Sequence, residues 1–169
     1  MTVTLKDIFA EAAALIKASS DQGMTIATAE SCTGGLIGAA ITAIPGSSKP
    51  FKGGVIAYDN SIKSKLLGVP TGMIHEYGAV SREVARAMAI GAVHALNVDL
   101  VISVTGIAGP GGGTTEKPVG TVWMGLAVRL EDKIDVTTTL HQFGDIGRNK
   151  IRDHTCMEGL KALNAALKP

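Results

Sequence analysis

Residues 24–46, "MTIATAESCTGGLIGAAITAIPG", constrain the fold more than any other stretch. A short apolar and β-branched run ends at Ser31-Cys32-Thr33, passes two glycines, and continues into a small-residue segment closed by Pro45-Gly46. This order predicts a strand, a tight turn and a helix. A strand that feeds a helix directly commits the chain to layers of helix on sheet, because the next parallel strand needs a crossover to reach its neighbour. "GGVIAYD" and "DLVISVTG" supply further strand candidates. "VGTVWMGLAVRL" and "IDVTTTLHQF", joined by the polar turn "EDK", read as a late antiparallel hairpin.

Helical spacing of Ile8, Phe9, Ala12, Leu15 and Ile16, stopped by "SSDQG", predicts an amphipathic helix at the start. Asn60 is expected to cap a short helix that turns Ile62, Leu66 and Leu67 inward. Ser81 is the natural cap of a longer helix to about Asn97, with Val84, Ala85, Met88, Ala92 and Leu96 on one face. A last helix should start near Gly147. Alternating elements followed by a hairpin point to the α/β class: a three-layer α/β/α domain with a mixed sheet, over residues 1–169 as one unit.

Composition narrows the function classes. The 169 residues are 46% hydrophobic and 18% charged with a formal net charge of +1, so neither a nucleic-acid footprint nor a membrane-attracting basic surface is expected. No apolar run reaches the length of a membrane span, and the acid- and lysine-bearing start does not read as a signal peptide, so a cytoplasmic location is expected. Two distant cysteines, Cys32 and Cys156, make neither a disulfide framework nor a metal knuckle. No metal or cofactor is expected. The alanine and glycine content leaves room for a helix-mediated homo-oligomer.

Four segments carry candidate chemistry. A strand running into a helix at Ser31 places its hydroxyl at the sheet's carboxyl edge, where a nucleophile or an anion site is well placed; a plain helix cap explains the same residues. In "AYDNSIKSK", Lys63 falls in the first turn of a helix, where the dipole disfavours a cation and burial would lower its pKa toward that of a base. Tyr58 stands just before it. An exposed lysine and a core tyrosine are the plain alternative. "GIAGPGGGTTEKP" holds five glycines from Gly106 to Gly113 that could present N–H groups to an oxyanion or phosphate, or simply connect two strands. "FGDIGRNKIR" sets Arg148 and Arg152 at a helix start, suited to phosphate or to solvent. The chain has no G-x-S-x-G, H-E-x-x-H, S-x-x-K, G-x-G-x-x-G or Walker A pattern, and its four histidines are scattered.

"TAESCTGG", "AYDNSIK", "YGAVS", "VTGIAGPGGGTTEKPVGTVW" and "FGD" followed by an arginine, in this order from about Gly23 to the last helix, resemble the CinA C-terminal domain family. The resemblance implies a nicotinamide-nucleotide amidohydrolase, converting nicotinamide mononucleotide to nicotinate mononucleotide and ammonia in pyridine nucleotide salvage. It implies Ser31 as nucleophile and Lys63 as base, with Tyr58 beside them. Gly34, Gly35, Ser48, Asn60, Thr105, Gly106, Gly109 and Arg148 are then the expected substrate-binding residues. The Gly34-Gly35 helix start is expected to hold the oxyanion, the glycine loop and Arg148 the ribose phosphate. Ser48, ahead of the strand that ends at Tyr58, is the runner-up nucleophile, and Cys32 is a further alternative. "FGDIGR" departs from the family pattern, which sets the arginine directly after the aspartate. Longer members carry an added N-terminal domain resembling molybdopterin-binding proteins, and nothing of its chemistry is carried over to these residues. The competing class is a non-catalytic nucleotide- or partner-binding module.

Overall fold

The computed structural model describes residues 3–131 and 133–167. Five strands, β1 (Ile26–Glu30), β2 (Phe51–Ile56), β3 (Leu100–Gly106), β4 (Thr121–Arg129) and β5 (Ile134–Gln142), form one sheet in the order β2-β1-β3-β4-β5. β1 runs parallel to both β2 and β3, whereas β4 and β5 are antiparallel additions. The sheet is mixed, as the alternation followed by a hairpin predicts. Asp132, in the turn read from "EDK", lies outside the described residues, as do Met1, Thr2, Lys168 and Pro169.

Among the described residues six helices cover both faces: α1 (Leu5–Gln22), α2 (Leu36–Thr42), α3 (Asn60–Leu67), α4 (Thr71–Tyr77), α5 (Arg82–Leu96) and α6 (Arg148–Ala166). Strand alternation divides the core between them. Ile26, Leu100, Ile102, Val104, Val122 and Met124 face α1, α2 and α6, packing on Leu15, Ile37, Ile41, Ile151 and Leu160. Ala27, Ala29, Val101 and Ala127 face the other way, onto Leu67, Val84, Met88 and Val93 of α3 and α5. Gly125 of β4 lets α5 sit close: a Cβ there would come within 2.7 Å of the Ala85 carbonyl oxygen. β1, between two parallel neighbours and two helical layers, is buried at every position.

Two boundaries differ from the sequence reading. α3 is capped by Asp59 rather than Asn60: Asp59 Oδ1 accepts from the Ser61 N–H at 2.8 Å and from the Ser61 hydroxyl at 2.6 Å, which Asn60, already inside the helix, does not do. "TGMIHEY" forms α4, a short helix whose residues are all at least partly exposed, so it carries no apolar face that periodicity could reveal. The Ser81 cap of α5 is as expected, its hydroxyl accepting from the Val84 N–H at 3.3 Å. Among the described residues no helix is long and apolar enough to cross a membrane.

Candidate active site

Parallel strands all end on the same side, so β1, β2 and β3 deliver their following residues to one edge of the sheet. Ser31 is the first residue past β1, and its N–H donates to the Val104 carbonyl of β3 at 3.0 Å. Ala57 and Tyr58 leave β2 beside it, with the Ala57 N–H bonded to Glu30 O at 2.8 Å. The chain then turns into α3, whose first backbone bonds run to Asp59 O, and the first turn projects Lys63 back under the strand ends.

Lys63 is 1% exposed and Ser31 8%, so both are removed from solvent. Lys63 Nζ lies 3.1 Å from Ser31 Oγ, 2.9 Å from the Ala57 carbonyl and 3.1 Å from the Tyr58 carbonyl. Burial holds Lys63 below the ordinary lysine range, while Asp59 at the helix cap pulls weakly the other way. All three partners can accept from the amine; when it is neutral, two N–H groups still satisfy the two carbonyls and the lone pair is free to take the serine proton.

A cavity of about 210 Å³ opens onto this pair, lined by Ser31, Tyr58, Asn60, Lys63, Thr105, Gly106 and Arg148 together with Cys32, Ala79, Val80 and Ala108. The Tyr58 side chain is largely exposed at its mouth. Its hydroxyl accepts from Arg148 Nη2 at 3.0 Å, and Arg148 Nη1 donates to Gly109 O at 2.9 Å, so the guanidinium straps the end of β2 to the glycine loop. What Tyr58 offers Lys63 directly is its backbone carbonyl. The Thr105 hydroxyl donates to Ala79 O at 2.8 Å and fixes the wall formed by Ala79 and Val80. That wall comes from "YGAVS", whose small residues alone carry no chemical signal.

Several expected residues sit elsewhere. Ser48 is exposed in the turns before β2. Because β1 and β2 are parallel, a residue ahead of β2 lies at the opposite end of the sheet from one that follows β1, roughly 20 Å away for a strand of this length. Gly34 and Gly35 do not line the cavity. The Gly34 N–H closes a turn onto Ser31 O at 3.0 Å, and Gly35 caps α2 at φ +94°, where a side chain would also meet Ile56. The α2 N-terminus is likewise spent: the Ile37 and Gly38 N–H groups donate to the Glu30 carboxylate at 3.1 and 2.8 Å. Of the expected oxyanion donors, the Gly34, Ile37 and Gly38 N–H groups are therefore engaged inside the turn. The glycine loop divides, with Gly106 and Ala108 at Ser31's cavity while Gly111, Gly112 and Gly113 line a separate groove with Gln142 and Asp145. Burial pushes the Cys32 thiol up to about 12, which disfavours the thiolate that a cysteine nucleophile needs near neutral pH. Among the described residues no His, Cys, Asp and Glu side chains gather as a metal site would require.

Fold and site together define an α/β protein with a buried serine–lysine pair at the carboxyl edge of a mixed sheet. The chain belongs to the CinA C-terminal domain family, whose profile matches residues 9–167. It is 46% identical over 168 residues to a CinA-like protein of Leptospira borgpetersenii, covering 99% of this chain and 38% of that protein. It is 62% identical over 134 residues to a putative competence-damage inducible protein of Halothermothrix orenii, covering 79% of this chain and 32% of that protein. The chain thus spans well under half the length of these relatives. The crystal structure of the competence/damage inducible protein CihA from Agrobacterium tumefaciens superposes with a TM-score of 0.91 at 43% identity over 95% of both chains. A CinA superfamily protein from Escherichia coli superposes at 0.84 with 28% identity, covering 96% of this chain and 92% of that one.

Proposed function

We propose that the protein is an amidohydrolase that converts nicotinamide mononucleotide to nicotinate mononucleotide and ammonia, with Ser31 as nucleophile and Lys63 as general base. The observation that carries the reading is the 3.1 Å contact between Lys63 Nζ and Ser31 Oγ, with the other two polar neighbours of the amine both carbonyls. Neutral Lys63 takes the Ser31 proton as the oxygen attacks the carboxamide carbon. The resulting ammonium returns that proton to the departing nitrogen, ammonia leaves, and a nicotinoyl ester remains on Ser31. Water, deprotonated by Lys63, attacks the ester and restores the serine. Arg148 is the cation at the cavity mouth suited to the substrate phosphate, exchanging its contacts with Tyr58 and Gly109 for charge-assisted ones. Tyr58 and Asn60 line the mouth, and Thr105 and Gly106 the wall, against the ring and ribose.

Ammonia release measured on nicotinamide, its riboside and its mononucleotide tests the assignment. Ser31→Ala is expected to lower turnover of the mononucleotide by at least about 10³-fold, whereas Cys32→Ala and Ser48→Ala retain it. Full activity in Ser31→Ala would remove the serine from the reaction. Calorimetric binding of the mononucleotide by the unaltered protein, without ammonia release, would favour a binding module instead.

A further inference from the structure

Among the described residues the fully buried charged side chains are Lys63 and Glu30, each 1% exposed, and the reaction above leaves Glu30 without a role. Glu30 is the last residue of β1 and directly precedes Ser31. Its backbone is held on both sides, in register with Ile56 of β2 and Val104 of β3. Strand alternation turns its side chain to the α2 and α6 face. There Oε2 accepts from the Thr33 hydroxyl at 2.7 Å and the Ile37 N–H at 3.1 Å, and Oε1 accepts from the Gly38 N–H at 2.8 Å. The ion pairs among the described residues are all elsewhere, so this carboxylate is balanced by hydrogen-bond donors and the positive end of a helix rather than by a cation.

The arrangement closes a loop. The helix cap, Gly35, has no side chain to offer the first N–H groups of α2, and Glu30 reaches across from the strand to supply the missing oxygens. In doing so it binds Thr33 inside the turn and α2 beyond it. The segment that carries Ser31 is therefore anchored at its start by β1, at its middle by Thr33 and at its end by α2, with one carboxylate shared by the last two. Arg152 of α6 adds an outer clamp, Nη2 donating to Thr33 O at 2.7 Å.

We propose that Glu30 is a positioning residue that sets the Ser31 hydroxyl against Lys63 by fixing the turn between β1 and α2. The inference rests on Ser31 being the nucleophile, and it accounts for the Ile37 and Gly38 N–H groups being taken by Glu30. Glu30 touches neither the cavity nor Lys63; it acts through the backbone. Replacement by glutamine keeps the shape but brings an amide nitrogen to the donor cluster, so at least one of the α2 N–H groups loses its acceptor. Thr33→Val keeps those two and removes only the tie within the turn.

The test uses the whole chain and two readouts: phosphonylation of Ser31 by a small fluorophosphonate, located by mass spectrometry with Ser31→Ala as blank, and ammonia release from nicotinamide mononucleotide. Glu30→Gln is expected to slow phosphonylation by about 10- to 100-fold and to lower kcat by a similar factor. KM should stay within about threefold, because substrate contacts are intact, and the midpoint of the pH profile, set by Lys63, should not move. Thr33→Val should show the same pattern with a loss of about 3- to 10-fold. Labelling of both folded variants at the unaltered rate would overturn the proposal. If Glu30→Gln does not fold, Thr33→Val alone decides it. Labelling of Ser31 without ammonia from any of the three amides would sink the substrate assignment and leave Glu30 to be judged by the labelling ratio. No labelling of Ser31 in the unaltered protein would overturn the Glu30 proposal together with the nucleophile.

Discussion

At the scale of single residues, the burial of Lys63 has consequences that are measurable as a function of pH. Its native pKa lies below the ordinary 10.5 because the ammonium form is desolvated. A base must be unprotonated to act, so log(kcat/KM) for ammonia release should rise with pH at close to unit slope and level off at a midpoint below 10.5. A midpoint at or above 10.5 would exclude Lys63 as the base. Stability follows the same titration. Between the native and the unfolded pKa the unfolded chain binds the extra proton, so the unfolding free energy rises with pH across this window, by at most about 1.4 kcal/mol per pH unit. The native protein should therefore gain stability relative to Lys63→Met as pH rises toward 10.5, and parallel denaturation curves at several pH values read the difference. Position in the sequence made Ser31 and Lys63 candidates, one at a strand end and the other in a helix first turn, each beside a plain structural alternative; the family resemblance, not spacing, paired them. Glu30 was not a candidate: a glutamate between an apolar run and a polar triplet looks solvated until the sheet closes over it.

At the scale of elements, the site depends on how closely α3 is held against α5. A Cβ on Gly91 of α5 would come 1.8 Å from Leu67 O and 2.7 Å from Leu67 C, at the last residue of α3. Both are backbone atoms, so α3 itself would have to shift. In an open helix, Gly→Ala stabilises by about 1 kcal/mol; here the steric term reverses the sign. Gly91→Ala is expected to cost about 1–3 kcal/mol and lower Tm by roughly 2–12 °C in thermal unfolding. Activity should fall as well, since the displaced helix carries Lys63. A Tm equal to or above that of the unaltered protein would mean that the close approach is not formed. β1, β3, β4, α1, α5 and α6 could be read from periodicity and caps because each has buried positions, and β2 and β5 from their alternation of half-buried and exposed residues. α4 could not, having no buried residue, and the α3 cap was misread by one residue because Asp59 and Asn60 are equally good capping types.

At the scale of the whole molecule, the site exists because topology gathers segments that are far apart in the chain. Ser31 follows β1, Tyr58 and Lys63 follow β2, Thr105 is the last residue but one of β3, and Arg148 begins α6 on the opposite face from α3. Spacing in the sequence conveys none of these proximities. It also made Ser48 look near Tyr58 when a parallel strand separates them. Arg148 is the clearest case, since it bonds Gly109, 39 residues away, and Tyr58, 90 residues away, and so spans the cavity mouth between three segments. Both acceptors are neutral, whereas a substrate phosphate offers the guanidinium a charged, bidentate partner. Arg148→Ala should therefore act on the phosphate and little else. A lost charge-assisted contact of about 1.5–3 kcal/mol corresponds to a 10- to 150-fold fall in kcat/KM for nicotinamide mononucleotide. The riboside, which has no phosphate, should change by less than about threefold on the same reasoning. Because Arg148 is exposed, Tm should stay close to the original. Ammonia release from the two substrates, compared in the same preparations, separates the alternatives. An equal loss on both would make Arg148 a strap that shapes the cavity, and only a selective loss on the mononucleotide makes it the phosphate ligand.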